Sequence, residues 1–157
     1  WARAGRSLWL RLRRAAPVSP HAYNGRIVKG ITSMSEILAS TFVLAVADLA
    51  ASRQYYVEKL GFVEDLRVDG WSFLRRGACR LRLGDCPGIR PMSDAPDHSW
   101  FAYLHVSDAR QLYSEFVRND VEIWHPLADK PWGVREFAIV TPDGHRIVFG
   151  ESMEAHG

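Results

Sequence analysis

The chain has 157 residues, and 20 Lys and Arg stand against 18 Asp and Glu, so its formal net charge is only +2. This length suits one domain or two small modules with a common core, and the absence of any run of 18 apolar residues argues against a membrane-spanning helix. The two cysteines, Cys79 and Cys86, are too few for a disulfide framework, so we expect reduced thiols in a cytoplasmic protein.

The first 33 residues differ in charge from the rest of the chain. They hold seven basic residues and no acid, whereas residues 34–157 hold 13 basic residues and all 18 acids, a net charge of −5. We expect residues 1–33 to be a basic leader outside the fold, with a targeting peptide as the alternative. The folded domain is expected to begin near Met34. Because this domain is acidic and has no basic stripe, a nucleic-acid partner is not expected.

The first predicted module begins with the sequence TFVLAVADLAASRQYYVEKLGF. Residues 41–46 are typical of a strand, and Asp48 can cap the helix that follows by accepting hydrogen bonds from its free N–H groups. Gly61 ends that helix. Three strands are expected next, at about 62–68, 71–76 and 79–83, with an Asp-Gly turn between the first two.

The second predicted module begins with WFAYLHVSDARQLYSEFVRNDVEIW. Asp108 takes the place of Asp48, and the apolar residues from Ala109 to Val117 form one helical stripe. Three strands are expected next, at about 121–124, 135–140 and 145–150. The last two flank Thr-Pro-Asp-Gly, which is a turn sequence.

The order strand, helix and three strands therefore occurs twice. The modules cover about 40–84 and 99–151, and the stretch 84–98, rich in Pro, Gly and Asp, links them. Neither module can bury much apolar surface alone, so the two sheets are expected to pack together. The pattern predicts an α+β domain of two βαβββ modules that form a cup.

Two motifs resemble a known family. VADLAASRQYYVEKLGF is similar to the first strand–helix unit, and PWGVREFAIVTPDGHRIVFG to the last hairpin, of the glyoxalase/bleomycin-resistance/extradiol-dioxygenase proteins, the vicinal oxygen chelate superfamily. The resemblance covers roughly residues 40–151 and implies the family's cup-shaped mixed sheet. Within the superfamily the chain most resembles the bleomycin-resistance proteins, which implies a homodimer that sequesters an antibiotic in clefts at the subunit interface.

Enzymes of this superfamily bind a divalent metal through side chains on the first and fourth strands of each module. His, Glu or Gln serves there, because imidazole and carboxylate groups supply lone pairs inside an apolar cup. The resemblance assigns these four positions to Thr41, Arg82, Phe101 and Val148. None is a good ligand, and a guanidinium repels a cation. We therefore expect no metal, no other cofactor and no catalytic residue.

Other candidate side chains lie near the expected cup. His105 shares a strand face with Phe101 and Tyr103, where it can act as a base, hydrogen-bond a ligand or be a polar group at the rim. Glu136 either points into the cup or forms an ion pair with an arginine. His125 and His145 are expected to be exposed, in a loop and a turn.

Aromatic and acidic residues around the expected cleft favour a planar, cationic ligand, through stacking, cation–π contact and Coulomb attraction. The resemblance to bleomycin-resistance proteins implies most of the residues that we expect to bind the ligand. The strand pattern adds His105 to them. The set is Asp65, Leu66, Trp71, Tyr103, His105, Trp132 and Gly133. In two departures from the family pattern, Leu66 replaces an aromatic residue, and the inward Arg82 disfavours a cationic ligand.

The sequence therefore favours a metal-free small-molecule binding protein that forms a homodimer. One alternative is a metal-dependent lyase, isomerase or dioxygenase of the superfamily with a displaced metal site. A further alternative is a catalytically silent subunit or accessory domain without a ligand. Stoichiometric bound metal would favour the enzyme, and failure to bind any ligand would favour the accessory domain.

Deletion of residues 1–33 is expected to leave the melting temperature within a few degrees of that of the full chain. The reason is that this segment shows no apolar periodicity that would join it to a core. Thermal unfolding followed by circular dichroism checks the expectation, and a loss of cooperative unfolding would contradict it.

Overall fold

The computed structural model of the chain describes residues 38–94 and 100–153. The predicted leader, residues 1–33, lies outside the described residues, as does part of the predicted linker. The described ranges hold two four-stranded sheets, each with a helix after its first strand. The predicted α+β fold of two βαβββ modules is therefore confirmed. No helix in these ranges is both long and apolar enough to cross a membrane.

The first sheet belongs to the first module. Its strands are β1 (Phe42–Val46), β2 (Val63–Val68), β3 (Trp71–Arg76) and β4 (Cys79–Asp85). They lie in the order β1-β4-β3-β2, and only the β1–β4 pair is parallel. These bounds agree closely with the strands predicted from the sequence.

Helix α1 (Leu49–Gln54) follows β1 and starts at the predicted cap. The Asp48 carboxylate accepts a hydrogen bond from the N–H of Ala51 at 2.9 Å. The helix then widens into a π-helical turn (Tyr55–Lys59), which the sequence pattern did not predict. Gly61, with a φ of +66°, lets the chain leave the helix as expected.

The second sheet repeats the arrangement of the first. Its strands are β5 (Trp100–His105), β6 (Ile123–Asp129), β7 (Val134–Val140) and β8 (Arg146–Ser152). They lie in the order β5-β8-β7-β6, again with one parallel pair, β5–β8. Helix α2 (Ala109–Arg118) follows β5, and the Asp108 carboxylate caps it by accepting from the Gln111 N–H at 2.8 Å.

Strand β6 continues beyond its predicted end at residue 124. The prediction of a loop at His125 is therefore wrong, because His125 lies within the strand. Proline usually ends a strand, and Pro126 follows at once. However, β6 is at the edge of its sheet, where a strand tolerates proline because one side of its backbone has no partner strand. The pairing of β6 with β7 also shifts register around Pro126.

One hydrophobic core joins the two modules. Each sheet turns one face towards this core, where its helix also packs. The largest fully buried side chains come from both modules: Tyr56, Leu60, Leu74, Leu81, Leu83, Phe116, Phe137, Ile139 and Ile147. On β8, Ile147 and Phe149 are buried and Val148 points away from them, as the strand alternation predicts.

Polar contacts also connect the modules. The guanidinium of Arg76 on β3 makes two hydrogen bonds to the Glu115 carboxylate on α2, at 3.0 and 2.9 Å. Lys59 donates to the carbonyl oxygen of Asp120 at 2.7 Å, and the Asn119 amide donates to the carbonyl oxygen of Lys59 at 2.9 Å. The first helix is therefore anchored to the end of the second.

Asp143, in the predicted Thr-Pro-Asp-Gly turn, also connects the modules, and of these contacts its hydrogen bonds join the residues that are farthest apart in sequence. One oxygen of its carboxylate accepts from the Ala47 N–H at 3.0 Å, and the other accepts from the Ser52 hydroxyl at 2.6 Å. Ser52 is only 3% exposed. The turn that joins β7 and β8 thus also holds the start of α1.

Asp143→Ala is expected to lower the free energy of unfolding by about 1–3 kcal/mol, because the buried Ser52 hydroxyl and the Ala47 N–H both lose their acceptor. Asp85→Ala is the matched control, since that exposed carboxylate makes no side-chain hydrogen bond in the described ranges. Urea unfolding compares the two variants. Equal midpoints would show that Asp143 does not hold the modules together.

Candidate functional site

Both sheets leave the face opposite the core open to solvent. On the first sheet Val43 is 59% exposed and Trp71 is 38% exposed, and on the second sheet Trp100 and Tyr103 are 44% and 43% exposed. We call these surfaces the first and second outer faces. The first carries Val43, Leu66, Trp71, Phe73 and Arg82, and the second carries Trp100, Tyr103, His105, His125, Glu136, Arg146 and Val148.

The first outer face brings two predicted binding residues together. Leu66 pairs with Phe73 across the sheet, and the guanidinium carbon of Arg82 lies 5.2 Å from the centre of the Phe73 ring. In the next row the Trp71 indole covers Gly84, where an added Cβ would lie 2.9 Å from the ring. This face therefore offers a flat aromatic surface beside a stacked cation.

Asp65, also predicted to bind the ligand, is already paired. Its carboxylate accepts from Nε of Arg75 at 2.7 Å, and a second arginine nitrogen, Nη1 of Arg80, lies 3.9 Å away. These partners offset the negative charge that was expected to attract a cation. Asp65 is therefore not a free negative charge that could attract a cationic ligand to this sheet.

On the second outer face, Tyr103 and Glu136 form one unit. The Tyr103 hydroxyl donates to the Glu136 carboxylate at 3.0 Å, and Nζ of Lys130 lies 3.7 Å from the other carboxylate oxygen. Partial burial and this carboxylate raise the pKa of Tyr103. Glu136 thus points to the outer face and is also ion-paired, although to a lysine rather than an arginine. The His105 ring lies 5.2 Å from that of Tyr103.

Trp132 and Gly133 lie in the turn between β6 and β7. Trp132 is 68% exposed, and Gly133 has a φ of +81°. The Gly133 carbonyl accepts from the Met153 N–H at 2.9 Å, which ties the turn to the end of β8. The predicted binding residues therefore fall into two groups, with Asp65, Leu66 and Trp71 on the first sheet and Tyr103, His105, Trp132 and Gly133 on or beside the second.

The positions that hold a metal in the superfamily's enzymes do not fit one here. The side chain of Arg82 lies over Phe73, and Val148 offers no lone pair. Within residues 38–94 and 100–153, no three His, Cys, Asp or Glu side chains come close enough together to hold a metal ion. Nothing in this arrangement favours the alternative of a metal-dependent lyase, isomerase or dioxygenase.

The expectation that Phe101 faces the cup is wrong. A bulge shifts the register between Trp100 and Ala102, so Trp100 takes the place on the outer face. Phe101 instead packs against the core, with its ring edge-to-face with Phe42 at 4.9 Å. Strand alternation alone could not show the extra residue.

A cluster that the sequence analysis missed lies on the second outer face. The guanidinium carbon of Arg146 is 4.0 Å from the centre of a Trp124 ring and 5.8 Å from a Trp100 ring. The ring of His125 stacks on Trp100, with centres 6.1 Å apart and an interplanar angle of 26°. We call these four residues the indole–arginine cluster. They come from three separate places in the sequence, Trp100, Trp124 with His125, and Arg146, and the bulge and the extension of β6 bring these places together.

His145 was expected to be exposed, and this expectation is wrong. Its side chain is 6% exposed, and its ring lies 6.0 Å from that of Phe101. The backbone N–H of His145 donates a hydrogen bond to the Thr141 hydroxyl at 3.1 Å, which closes the turn. Burial lowers the pKa of His145, and the nearby Asp143 carboxylate opposes this only in part.

Comparisons with known proteins agree with this architecture. The family model described as the Glyoxalase/Bleomycin resistance protein/Dioxygenase superfamily matches residues 38–149. The bleomycin resistance protein of Geobacillus stearothermophilus is 29% identical over 134 residues, which cover 76% of this chain and 100% of that protein. The family resemblance seen in the sequence is confirmed.

Two solved structures are similar in fold and sequence. The bleomycin-binding protein of Streptomyces verticillus, complexed with copper(II)-bleomycin, has a TM-score of 0.59 and 27% identity, and the match covers 74% of this chain and 97% of that one. The bleomycin resistance determinant encoded on transposon Tn5 has a TM-score of 0.61 and 27% identity, with coverage of 72% and 96%.

His145→Gln is expected to reduce the loss of stability at low pH. Since the fold lowers the pKa of His145, the unfolded chain binds the proton more readily, and the wild type loses stability as the pH falls below 6.5, the ordinary pKa of the group. Melting temperatures at pH 7.5 and 5.5 measure the difference, with His105→Gln at an exposed ring as the control. If the parent and His145→Gln lost the same amount, the buried imidazole would not be the cause.

Proposed function

This chain belongs to the Glyoxalase/Bleomycin resistance protein/Dioxygenase superfamily, and from that membership we propose that it is a small-molecule binding protein of the bleomycin-resistance type. It sequesters a planar, antibiotic-like ligand without a metal or other cofactor. It works in the cytoplasm as a homodimer, with the ligand in clefts at the subunit interface. Two half-buried cysteines without a disulfide are consistent with that compartment.

The observation that carries the proposal is the exposure of aromatic side chains on both outer faces. The Trp71 ring lies close to Gly84 and the hydroxyl end of Tyr103 lies close to Gly150, and both aromatic side chains remain more than one third exposed. Such surfaces bind planar groups by stacking. Apolar patches left open on a folded domain commonly mark a binding site or an interface.

The same exposure supports a dimer. Within residues 38–94 and 100–153 no element covers either outer face, because the core lies on the opposite side of both sheets. In a two-fold dimer, the first outer face of one subunit can lie opposite the second outer face of the other. Two-fold symmetry then creates two equivalent clefts, each with aromatic walls from both subunits.

The relatives support the ligand class. Proteins similar to this chain include a bleomycin-binding protein complexed with bleomycin, with 25% identity and a TM-score of 0.60. The exposed aromatic side chains on both outer faces of this chain are suited to stack on a planar group of such a ligand. The sequence also favours a positive charge on the ligand, an expectation that depends on Asp65, Asp69 and Glu136. Asp65 and Glu136 are ion-paired, whereas Asp69 is exposed in the turn between β2 and β3.

Trp71→Ala and Trp132→Ala are each expected to weaken bleomycin binding by roughly 1–3 kcal/mol, or about 5- to 150-fold, the range typical of aromatic residues that anchor a ligand. Both side chains are exposed, so the fold is expected to survive. Isothermal titration calorimetry with bleomycin measures the loss. Val117→Ala, at an exposed apolar residue on α2, is the matched control and is expected to bind like the parent.

Two results would contradict the proposal. If the parent chain bound no bleomycin, the ligand class would be wrong, and if both tryptophan variants bound like Val117→Ala, the outer faces would not be the site. Sedimentation of the same samples reports the mass of the particle. A monomer at the concentrations used for binding would contradict a cleft shared by two subunits.

A further inference from the structure

Arg146 lies on the second outer face between two indole rings. Its guanidinium carbon is 4.0 Å from the centre of a Trp124 ring and 5.8 Å from the centre of a Trp100 ring. The two tryptophans are still 42% and 44% exposed. The indole–arginine cluster is therefore open to solvent on the side away from the sheet.

In the part of the chain that the structure describes, Arg146 has no acidic partner. Other arginines do have one: Arg76 is bound to Glu115 and Arg135 to Asp129. The Nε of Arg146 is buried and has no hydrogen-bond partner among the described residues. A buried donor without an acceptor is unfavourable in a folded protein, and Arg146, which is only partly buried as a residue, still lacks an acceptor among the described residues.

The position of the indoles determines what such an acceptor is. Aromatic rings beside a guanidinium keep water from its faces and leave its N–H groups at the edges of its plane. A carboxylate, sulfonate or phosphate group matches this edge, because two of its oxygens can accept two parallel hydrogen bonds. A neutral acceptor would make weaker hydrogen bonds to the same groups.

The first outer face has a similar feature. Arg82 lies over Phe73 and forms no ion pair with any acidic residue that the structure describes. By contrast, the acids Asp65 and Glu136 of the two sheets are both ion-paired. Among the described residues of the two outer faces, the arginines without an ion pair are therefore Arg82 and Arg146, and both lie over aromatic rings.

We propose that the ligand carries an acidic group on a flat aromatic body, and that Arg146 binds this group while Trp100 and Trp124 stack on the aromatic part. This inference rests on one part of the proposed function, that the second outer face binds a ligand, and not on that ligand being bleomycin. It assigns the ligand a charge opposite to the one that the sequence favours.

Three naphthalene derivatives that share one ring system test the charge. They are 2-naphthoate, which is anionic, 2-naphthamide, which is neutral, and 2-naphthylmethylammonium, which is cationic. Binding to the full chain is followed by the indole N–H signals of Trp100 and Trp124 in nuclear magnetic resonance spectra. We expect 2-naphthoate to bind at least about tenfold more tightly than 2-naphthamide, the effect typical of a hydrogen bond to a charged group, and we expect this preference to fall as salt is added.

Variants of Arg146 connect the preference to the residue. Arg146→Gln is expected to abolish the preference for 2-naphthoate and to keep the affinity for 2-naphthamide, whereas Arg146→Lys retains part of the preference. Arg67→Gln is the matched control, because Arg67 is paired with Glu64 at 2.8 Å on the other face of the first sheet. Thermal unfolding of each variant confirms that it is folded before it is titrated.

Equal binding of 2-naphthoate and 2-naphthamide would overturn the inference, and so would a preference that survives in Arg146→Gln or a failure of all three compounds to bind. Tightest binding of the ammonium compound would overturn it too, and would mean that a cation displaces the guanidinium from the indoles. Titration with bleomycin separates this inference from the proposed function. If the chain prefers 2-naphthoate through Arg146 but does not bind bleomycin, the inference holds and the proposed function is wrong. If the chain binds bleomycin but shows no preference for 2-naphthoate, the proposed function holds and the inference is wrong.

Discussion

A sheet has two faces, and in this chain a single hydrophobic core covers one face of each sheet. Both helices pack on that side, as do the largest buried side chains of both modules. Strand alternation places every second side chain on the face opposite the core. The apolar residues on these opposite faces are therefore exposed in the part of the chain that the structure describes. The candidate site is thus a direct result of how the described strands and helices share the core.

The polar contacts between the modules follow from the same arrangement. Because the core side of each sheet faces the other module, Asp143 can reach the start of α1, and Arg76 can reach α2. These contacts lie along the edge of the core and leave the outer faces free. A ligand that binds to an outer face therefore meets a surface whose backbone is already held in place from behind.

The sequence was sufficient for the fold because its signals are local. The capping residues Asp48 and Asp108, the glycine that ends the first helix and the turn before His145 each act within a few residues. The parts that were missed depend on distant partners. The bulge beside Phe101 and the burial of His145 depend on neighbouring strands and on residues from the other module, which no window of sequence contains. The indole–arginine cluster needs both that bulge and a proline accepted at a sheet edge, so no single motif could reveal it.

The aromatic side chains that lie close to glycines also restrict how these faces can change in evolution. A Cβ at Gly150 would clash with the hydroxyl end of Tyr103, and one at Gly84 would touch the Trp71 ring. A mutation of either glycine alone is therefore blocked while the large ring is present, and loss of the ring alone exposes bare backbone. Drift to a new ligand must then pass through a smaller side chain at the aromatic position before the glycine can change. Each outer face is expected to diversify in a fixed order of substitutions, with the ring changing first.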